Sequence, residues 1–551
     1  MPAPQTVHTR PFRNKMIYLG FIIVLIFPIY WLSQPASENS VGGFLENQRT
    51  SVVDIKDLGE INMAAETMKL GTFGMDGIVQ MMLWLKADEY KKKKEWTQLA
   101  ATLNQLIVLN PHLETVWRFQ GWNLAYNVSV EQDNYHDRYF WVMKGIRFLE
   151  RGTQYNPLSI RVSWDVGWTT SQKMGKSDEH VYFHEFYKND PDIQDVPGFE
   201  TSKRDSWLVG KWWYKHTESL HDDKGVDLQT ISPTLFYSYA PLAQAYYADN
   251  LEQLGNFVYA NNLSGGGSSE SAQNAWNQFN AEWIAFGKLS LDSAFGEPMK
   301  LIEQEEMEAL EASKREELNA LSPGKYEALV NEKKRKFLSD AELKALNKPM
   351  EFRTADEQNL ASEAEEKIRV SNEEWAQNLP MEKRKEGLRL AKQLDAASNQ
   401  AKLVRRYRLI VNYVYWNLRG ELEKIPEIIE ARKLVYEGDK LYENNELRQA
   451  VENYDQAFKI WEKTITEDER FRDILDEDLF ATDLREMYDK YELIRMQDDP
   501  NLRSEEVRNL IPAALKKVLE TAPSDTGVVE RMKLRHEKNM QRSGYVPGKF
   551  I

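Results

Sequence analysis

Two histidines four residues apart, His180 and His184, share one face of any helix that carries them, and Glu185 follows directly. Two imidazoles at that spacing can hold a metal ion. The zinc-protease pattern needs a glutamate immediately after the first histidine, and Val181 stands there instead. The only further donors nearby are acidic, Asp190 and Asp192, so structural histidines account for the pair more simply. His216 and His221 follow Trp212-Trp213-Tyr214 and are five apart, which does not align them on a helix. Trp276, Phe279, Trp283 and Phe286 recur at helical spacing. Such a series could stack on sugar rings, but a helix face turned into the core is its commoner use.

Other motifs fall short. Gly265-Gly266-Gly267 lacks the Lys and Ser or Thr that complete a phosphate loop, so it reads as a linker. There is no serine nucleophile elbow. Glu270-Ser271 resembles the opening of the lytic transglycosylase motif, in which a lone glutamate cleaves glycan strands. The Gly-Leu-Met-Gln segment that continues that motif is missing. Asn127-Val128-Ser129 and Asn262-Leu263-Ser264 are formal glycosylation sequons, with meaning only in a secreted eukaryotic protein. The chain has no cysteine. That excludes Cys-ligated zinc, iron–sulfur clusters, covalently attached haem, thiol catalysis and disulfides. Its 86 carboxylates make any single acid–base pair impossible to pick out. No residue is nominated as catalytic, cofactor-binding or metal-binding.

The formal net charge of −15 argues against nucleic acid as a partner, because binding a polyanion relies on clustered Lys and Arg. The basic runs Lys91–Lys94 and Lys333–Lys336 sit among carboxylates and read as solvated helix faces. Sixteen tryptophans in a 551-residue chain argue for a substantial core divided over more than one domain.

The elements that would position side chains begin at the amino terminus. Met16 to Leu32 is a run without a charge, with Tyr30 and Trp31 near its far end. As a helix it would cover about 25 Å, the lower edge of what spans a bilayer. Arg10, Arg13 and Lys15 precede it, and Glu38 and Glu46 are the first charges after it. That asymmetry puts the short tail in the cytoplasm and the bulk of the chain on the other side. In a bacterium this is the periplasmic side of the inner membrane. The competing reading is a cleaved signal peptide, with Pro35-Ala36-Ser37 near a possible cut.

Composition then divides the chain into a tail and transmembrane anchor (1–33), a linker (34–65), a helical domain (66–296), a charged helical insertion (297–400), a second helical domain (401–522) and a basic tail (523–551). The periodicity is helical throughout, so the fold class expected is all-α.

Within the helical regions, pairs of helices recur. The clearest runs from Ala431 to about Lys463. Leu434, Gly438 and Leu441 share one face of a first helix, Asn444-Asn445 makes the turn, and Ala450, Tyr454 and Ala457 share one face of a second. Two helices cross closely where a small residue such as Gly438 or Ala450 lets the backbones approach, and Tyr454 fills the space beside them. This spacing resembles the tetratricopeptide repeat (TPR). A weaker series lies nearer the anchor. Leu83, Ala87 and Tyr90 precede Leu99, Leu103 and Leu106, with Pro111 closing the unit. The next unit has Trp117, Gly121 and Leu124, then Gly145, Leu149 and Gly152 after an insertion from Asn127 to Tyr139. Asn156-Pro157 closes it, and Trp164 to Trp168, around Gly167, echoes Trp117 to Trp122. The overall layout resembles bacterial single-pass membrane proteins with a TPR-like extracytoplasmic region.

The resemblance implies stacked helix pairs whose first helices line a surface for peptides or helices of partner proteins. The expected function is a membrane-anchored, non-catalytic scaffold with protein partners and no cofactor. The competing classes are a helical enzyme acting on cell-wall glycan and a passive spacer.

Overall fold

Helix starts are written into the sequence as side chains that accept from the first free backbone amides. Asn134 accepts from the His136 amide at 2.8 Å, Ser159 from Val162 at 3.2 Å and Asp205 from Trp207 at 2.8 Å. Ser339 with Glu342, and Thr354 with Glu357, close reciprocal capping boxes. The computed structural model describes residues 76–191, 204–257, 271–294 and 296–522, together with Met16, Tyr18, Gly20, Phe21 and Val24. The protein is all-α. Among the described residues the only strands are Leu291–Asp292 (β1) and Pro298–Met299 (β2), a short antiparallel pair. No described helix is long and apolar enough to cross a membrane. Most of Met16–Leu32, the linker 34–65 and the tail 523–551 lie outside the described residues, as does the glycine run at 265–267.

The chain divides into two compact units, Met1–Asp227 and Leu228–Ile551. The division falls inside the segment 66–296 marked out by composition. In the first unit, α1 (Asp76–Lys92) pairs with α2 (Trp96–Leu109), and α3 (Glu114–Trp122) with α4 (Tyr135–Tyr155). Then come α5 (Ile160–Trp168), α6 (His180–Asn189) and α7 (Ser206–Asp222). The segment Asn127 to Tyr139, read from sequence as an insertion, is mostly helix. A π-helical stretch, Asn123–Val128, extends α3, and α4 already starts at Tyr135. Among the described residues, two apolar clusters stand out in the unit. One gathers Leu99, Leu103, Leu106, Val116 and Trp117, the other Val142, Ile146, Leu149, Val166 and Phe183.

The second unit starts with α8 (Pro233–Gln253) packed on α9 (Ala272–Lys288). The acidic segment that follows is an ordered hairpin. Its outgoing helix, α10 (Gln304–Leu321), packs along the returning helix, which we number α15 (Arg384–Ile410). The two run antiparallel, since Glu305 pairs with Arg408 and Glu308 with Arg405. Between them lie α11 (Lys325–Phe337), α12 (Asp340–Asn347), α13 (Ala355–Ile368) and α14 (Asn372–Gln377). Leu318, Leu329, Trp375, Leu379, Leu390 and Leu394 give the hairpin a small core of its own. Because α15 is continuous to Ile410, the change of composition near 400 does not end an element. The chain closes with α16 (Tyr413–Glu423), α17 (Pro426–Glu443), α18 (Leu447–Glu467), α19 (Asp478–Asp498), α20 (Ser504–Arg508) and α21 (Ala513–Thr521).

Close approach at small residues sets the helix crossings. A Cβ on Gly145 would meet the Gly121 carbonyl oxygen at 2.7 Å, and one on Gly438 would meet the Tyr454 ring at 2.9 Å. Backbone cannot step aside as a side-chain tip can. Gly145→Ala is therefore expected to destabilise the protein by about 1–3 kcal/mol through overpacking. Gly77→Ala, in α1 with open space around it, should be neutral or stabilising by up to ~1 kcal/mol. Denaturant unfolding of both variants checks this, and equal effects would remove close approach as the cause.

Candidate functional site

In the first unit, α3 and α5 are built alike. Glu114 and Ile160 open them, Gly121-Trp122 and Gly167-Trp168 stand at matching positions, and each tryptophan is followed at once by a π-helical segment. The second of these is Thr169–Lys173. The turns that precede the two helices are also tied together. The Asn156 side-chain amide donates to Gly152 O at 3.0 Å and to Pro111 O at 3.2 Å, and Trp117 Nε1 donates to Pro111 O at 2.7 Å.

The nominated repeat positions meet in these crossings. Gly121 faces Leu149, Gly145 faces Gly121 and Ala125, and Gly152 faces Trp117. Gly167 faces Gly210 of α7 at 3.1 Å. In the second unit Gly438 faces Tyr454, with Ala450 and Ala457 fully buried beside it. Asn445 turns the chain between α17 and α18 at a φ of 64°, a left-handed conformation that Asn tolerates. Leu434 and Leu441 are only half-buried; Ile428, Ile429, Ala431 and Tyr442 are the buried apolar residues of that helix.

With one side of α3 and α5 committed to these crossings, the other side carries aromatic rings that stay partly open. Trp122 is 46% exposed, and Phe119, Tyr126, Trp164 and Trp168 are half-buried. Trp122 stacks on Tyr126 with centroids 6.1 Å apart, and Trp164 on Trp168 at 5.2 Å. Cations lie over the rings: Lys91 Nζ is 4.9 Å from the Phe119 centroid, and Lys173 Nζ is 5.2 Å from that of Tyr126. Arg118 Nε donates to Asp165 Oδ2 at 2.5 Å and ties α3 to α5 across the same face. On α7, Trp212 stacks on His216 at 5.4 Å. π-Helical turns recur at functional sites because the wide turn re-aims the side chains that follow. The echo of Trp117–Trp122 in Trp164–Trp168 is legible in the sequence; this face is a finding of the structure. The signal was available in the paired Gly-Trp steps.

The histidine pair does not form a metal cradle. His180 Nδ1 lies 2.9 Å from Ser177 O, and His184 Nδ1 lies 3.2 Å from Ser206 Oγ. The rings are 6.5 Å apart. Among the described residues no group of three or more His, Asp or Glu is placed to hold a metal. Trp276, Phe279, Trp283 and Phe286 are all buried in the core of the second unit and are closed to a sugar.

That core also holds a charge cluster that no motif announced. Arg419 Nη2 donates to Asp249 Oδ1 at 2.6 Å, and Arg432 Nη2 to Asp483 Oδ2 at 2.8 Å and to Glu423 Oε1. Glu252 lies 3.8 Å from Arg432 and accepts from Trp276 Nε1 at 2.8 Å. The guanidiniums lie over Trp276 (Arg419, 5.0 Å) and Trp461 (Arg432, 4.4 Å). Six helices, α8, α9, α16, α17, α18 and α19, contribute. Four carboxylates face two guanidiniums, so full ionisation leaves the cluster net negative in a poorly hydrated place. Burial pushes Asp249 up to about 6 and Glu252 well above the ordinary glutamate range. Burial alone would raise Asp483 as well, yet Arg432 and Arg419 together hold it below its ordinary value. The cavities of about 610 Å³ (Leu329, Lys336, Phe337) and about 430 Å³ (Ile284, Arg408, Tyr413) are lined by none of these carboxylates. The cluster joins the six helices that carry it.

No family model matches the chain, and no curated protein is found similar to it.

The raised carboxylates set a pH dependence. Between the ordinary carboxylate range and their folded values, the native state holds protons that the unfolded chain has released, so stability falls as pH rises through that window. The unfolding midpoint is expected to drop between pH 4.5 and pH 7 and to drop less in Glu252→Gln, whose amide resembles the protonated acid. Glu423→Gln removes a charge shared by both arginines and should cost on the order of 3 kcal/mol at pH 7. Thermal unfolding across pH checks both; a flat profile in the wild type would discard the protonated-carboxylate assignment.

Proposed function

We propose that the protein is a non-catalytic scaffold, held at a membrane by Met16–Leu32 with its amino terminus in the cytoplasm. Its TPR-like helix pairs bind other proteins on the extracytoplasmic side. The observation that carries this reading is the open aromatic face of α3 and α5. Partly exposed tryptophans bring large contact area at small entropic cost and serve as anchors in protein interfaces. The lysines over Phe119 and Tyr126 favour peptide segments that pair apolar with acidic side chains. The anchor reading is supported by the uncharged run itself and by Tyr18, Phe21 and Val24, which are helical and each more than 60% exposed.

A photo-crosslinking residue at position 122 in the full-length, membrane-incorporated chain should capture discrete protein species. The same residue at Arg448, exposed on α18 of the second unit, should not. Trp168→Ala should reduce the yield at 122 by about tenfold, the effect of ~1.4 kcal/mol of binding energy. Identical capture at both positions, unaffected by Trp168→Ala, would eliminate the face as a binding surface. Carbonate extraction that releases the chain from membranes would eliminate the anchor.

A further inference from the structure

Helix α1 has two apolar sides. Leu83, Trp84, Ala87 and Tyr90 pack into the core with Leu99, Leu103 and Trp117. Ile78, Met81, Met82 and Leu85 form a second stripe at i, i+3, i+4 and i+7, and all four are open, at 50%, 57%, 62% and 64% exposure. The end helix of a stacked array normally shows a polar outer side, because nothing further stacks on it. The stripe is also graded along the helix. After Asp76, which opens α1, its amino-terminal half carries no charge, and the same side continues into Asp88, Glu89, Lys92 and Lys93. Those four are paired internally, Lys92 with Asp88 at 2.7 Å and Lys93 with Glu89 at 2.6 Å.

We propose that the amino-terminal half of α1 docks obliquely on the lipid–water interface of the membrane that carries the anchor. This rests on the anchored reading above. The graded stripe fits an interface that is apolar on one side and aqueous on the other: Ile78, Met81, Met82 and Leu85 enter the acyl boundary while the ion-paired half stays in water. A second copy laid antiparallel along the whole helix would set those charges against the apolar half. The unbranched methionines adapt to an irregular lipid surface. Chain length favours the same occupant. The 33–75 segment joins Leu32 to α1 and, at about 3.4 Å per residue, cannot let it stray more than about 150 Å from the anchor. Docking is then an intramolecular step, and a stripe of four side chains suffices to populate it.

The absence of cysteine allows a direct test. Full-length Met82→Cys and Leu85→Cys, each nitroxide-labelled and reconstituted in phosphatidylcholine–phosphatidylglycerol vesicles, are compared with Glu452→Cys on α18, which is exposed. Relaxation by oxygen, which concentrates in lipid, is measured against relaxation by a water-soluble nickel complex. The docking predicts an oxygen-to-nickel ratio at positions 82 and 85 several-fold above that at 452. Water-like ratios at 82 and 85 in chains that float with the vesicles overturn the docking and leave the anchor intact. Spin–spin broadening overturns it in favour of a second copy. Shielding from both reagents without broadening overturns it in favour of a protein segment. A chain that fails to float overturns docking and anchor together.

Discussion

The fold depends on helices that cross at points where no side chain stands between the backbones. At Gly121 and Gly145 two helices meet backbone to backbone, and Gly438 lets the Tyr454 ring lie flat against α17. These contacts fix crossing distance and angle, and the larger side chains fill what remains: Trp117 beside Gly152, Leu149 beside Gly121. Dense packing of this kind has few alternatives, because a shift of one residue along either helix would place a Cβ where a carbonyl lies.

The same constraint accounts for the open face of the first unit. A helix that commits its small side to one neighbour must turn its remaining perimeter elsewhere, and in α3 and α5 that perimeter carries Phe119, Trp122, Tyr126, Trp164 and Trp168. The π-helical segments after Trp122 and Trp168 sit where the committed side gives way to the open one. Structure and proposed binding are therefore two sides of one helix. On α1, the exposed stripe of Ile78, Met81, Met82 and Leu85 is likewise the side left over once Leu83, Trp84, Ala87 and Tyr90 are committed to the core.

The second unit solves its problem with charge. Arg419 and Arg432 bridge Asp249, Glu423 and Asp483, and indole rings cover the guanidiniums. A buried cluster of this kind adds little net stability over an apolar core of equal volume, but it penalises every arrangement in which its members are not paired. It specifies how α8, α16, α17 and α19 come together, and the excess of carboxylate makes the joint sensitive to pH.

The residue pattern by itself determined the fold class and many of the helices. Helical periodicity and turn signals such as Asn444-Asn445 and Asn156-Pro157 act within a few residues of chain, so they are legible in one dimension. It also identified small residues such as Gly438 and Gly121, since a helix crossing leaves a local trace. Only the tertiary structure decided which side of α3 stays open, that Asn127 to Tyr139 is mostly helical on either side of a short break at 131–134, and that Asp249, Glu252, Arg419, Glu423, Arg432 and Asp483 share one core. Asp249 and Asp483 are far apart in sequence, each among many carboxylates of the same type. Charge pairing acts through space, where chain separation leaves no pattern to read.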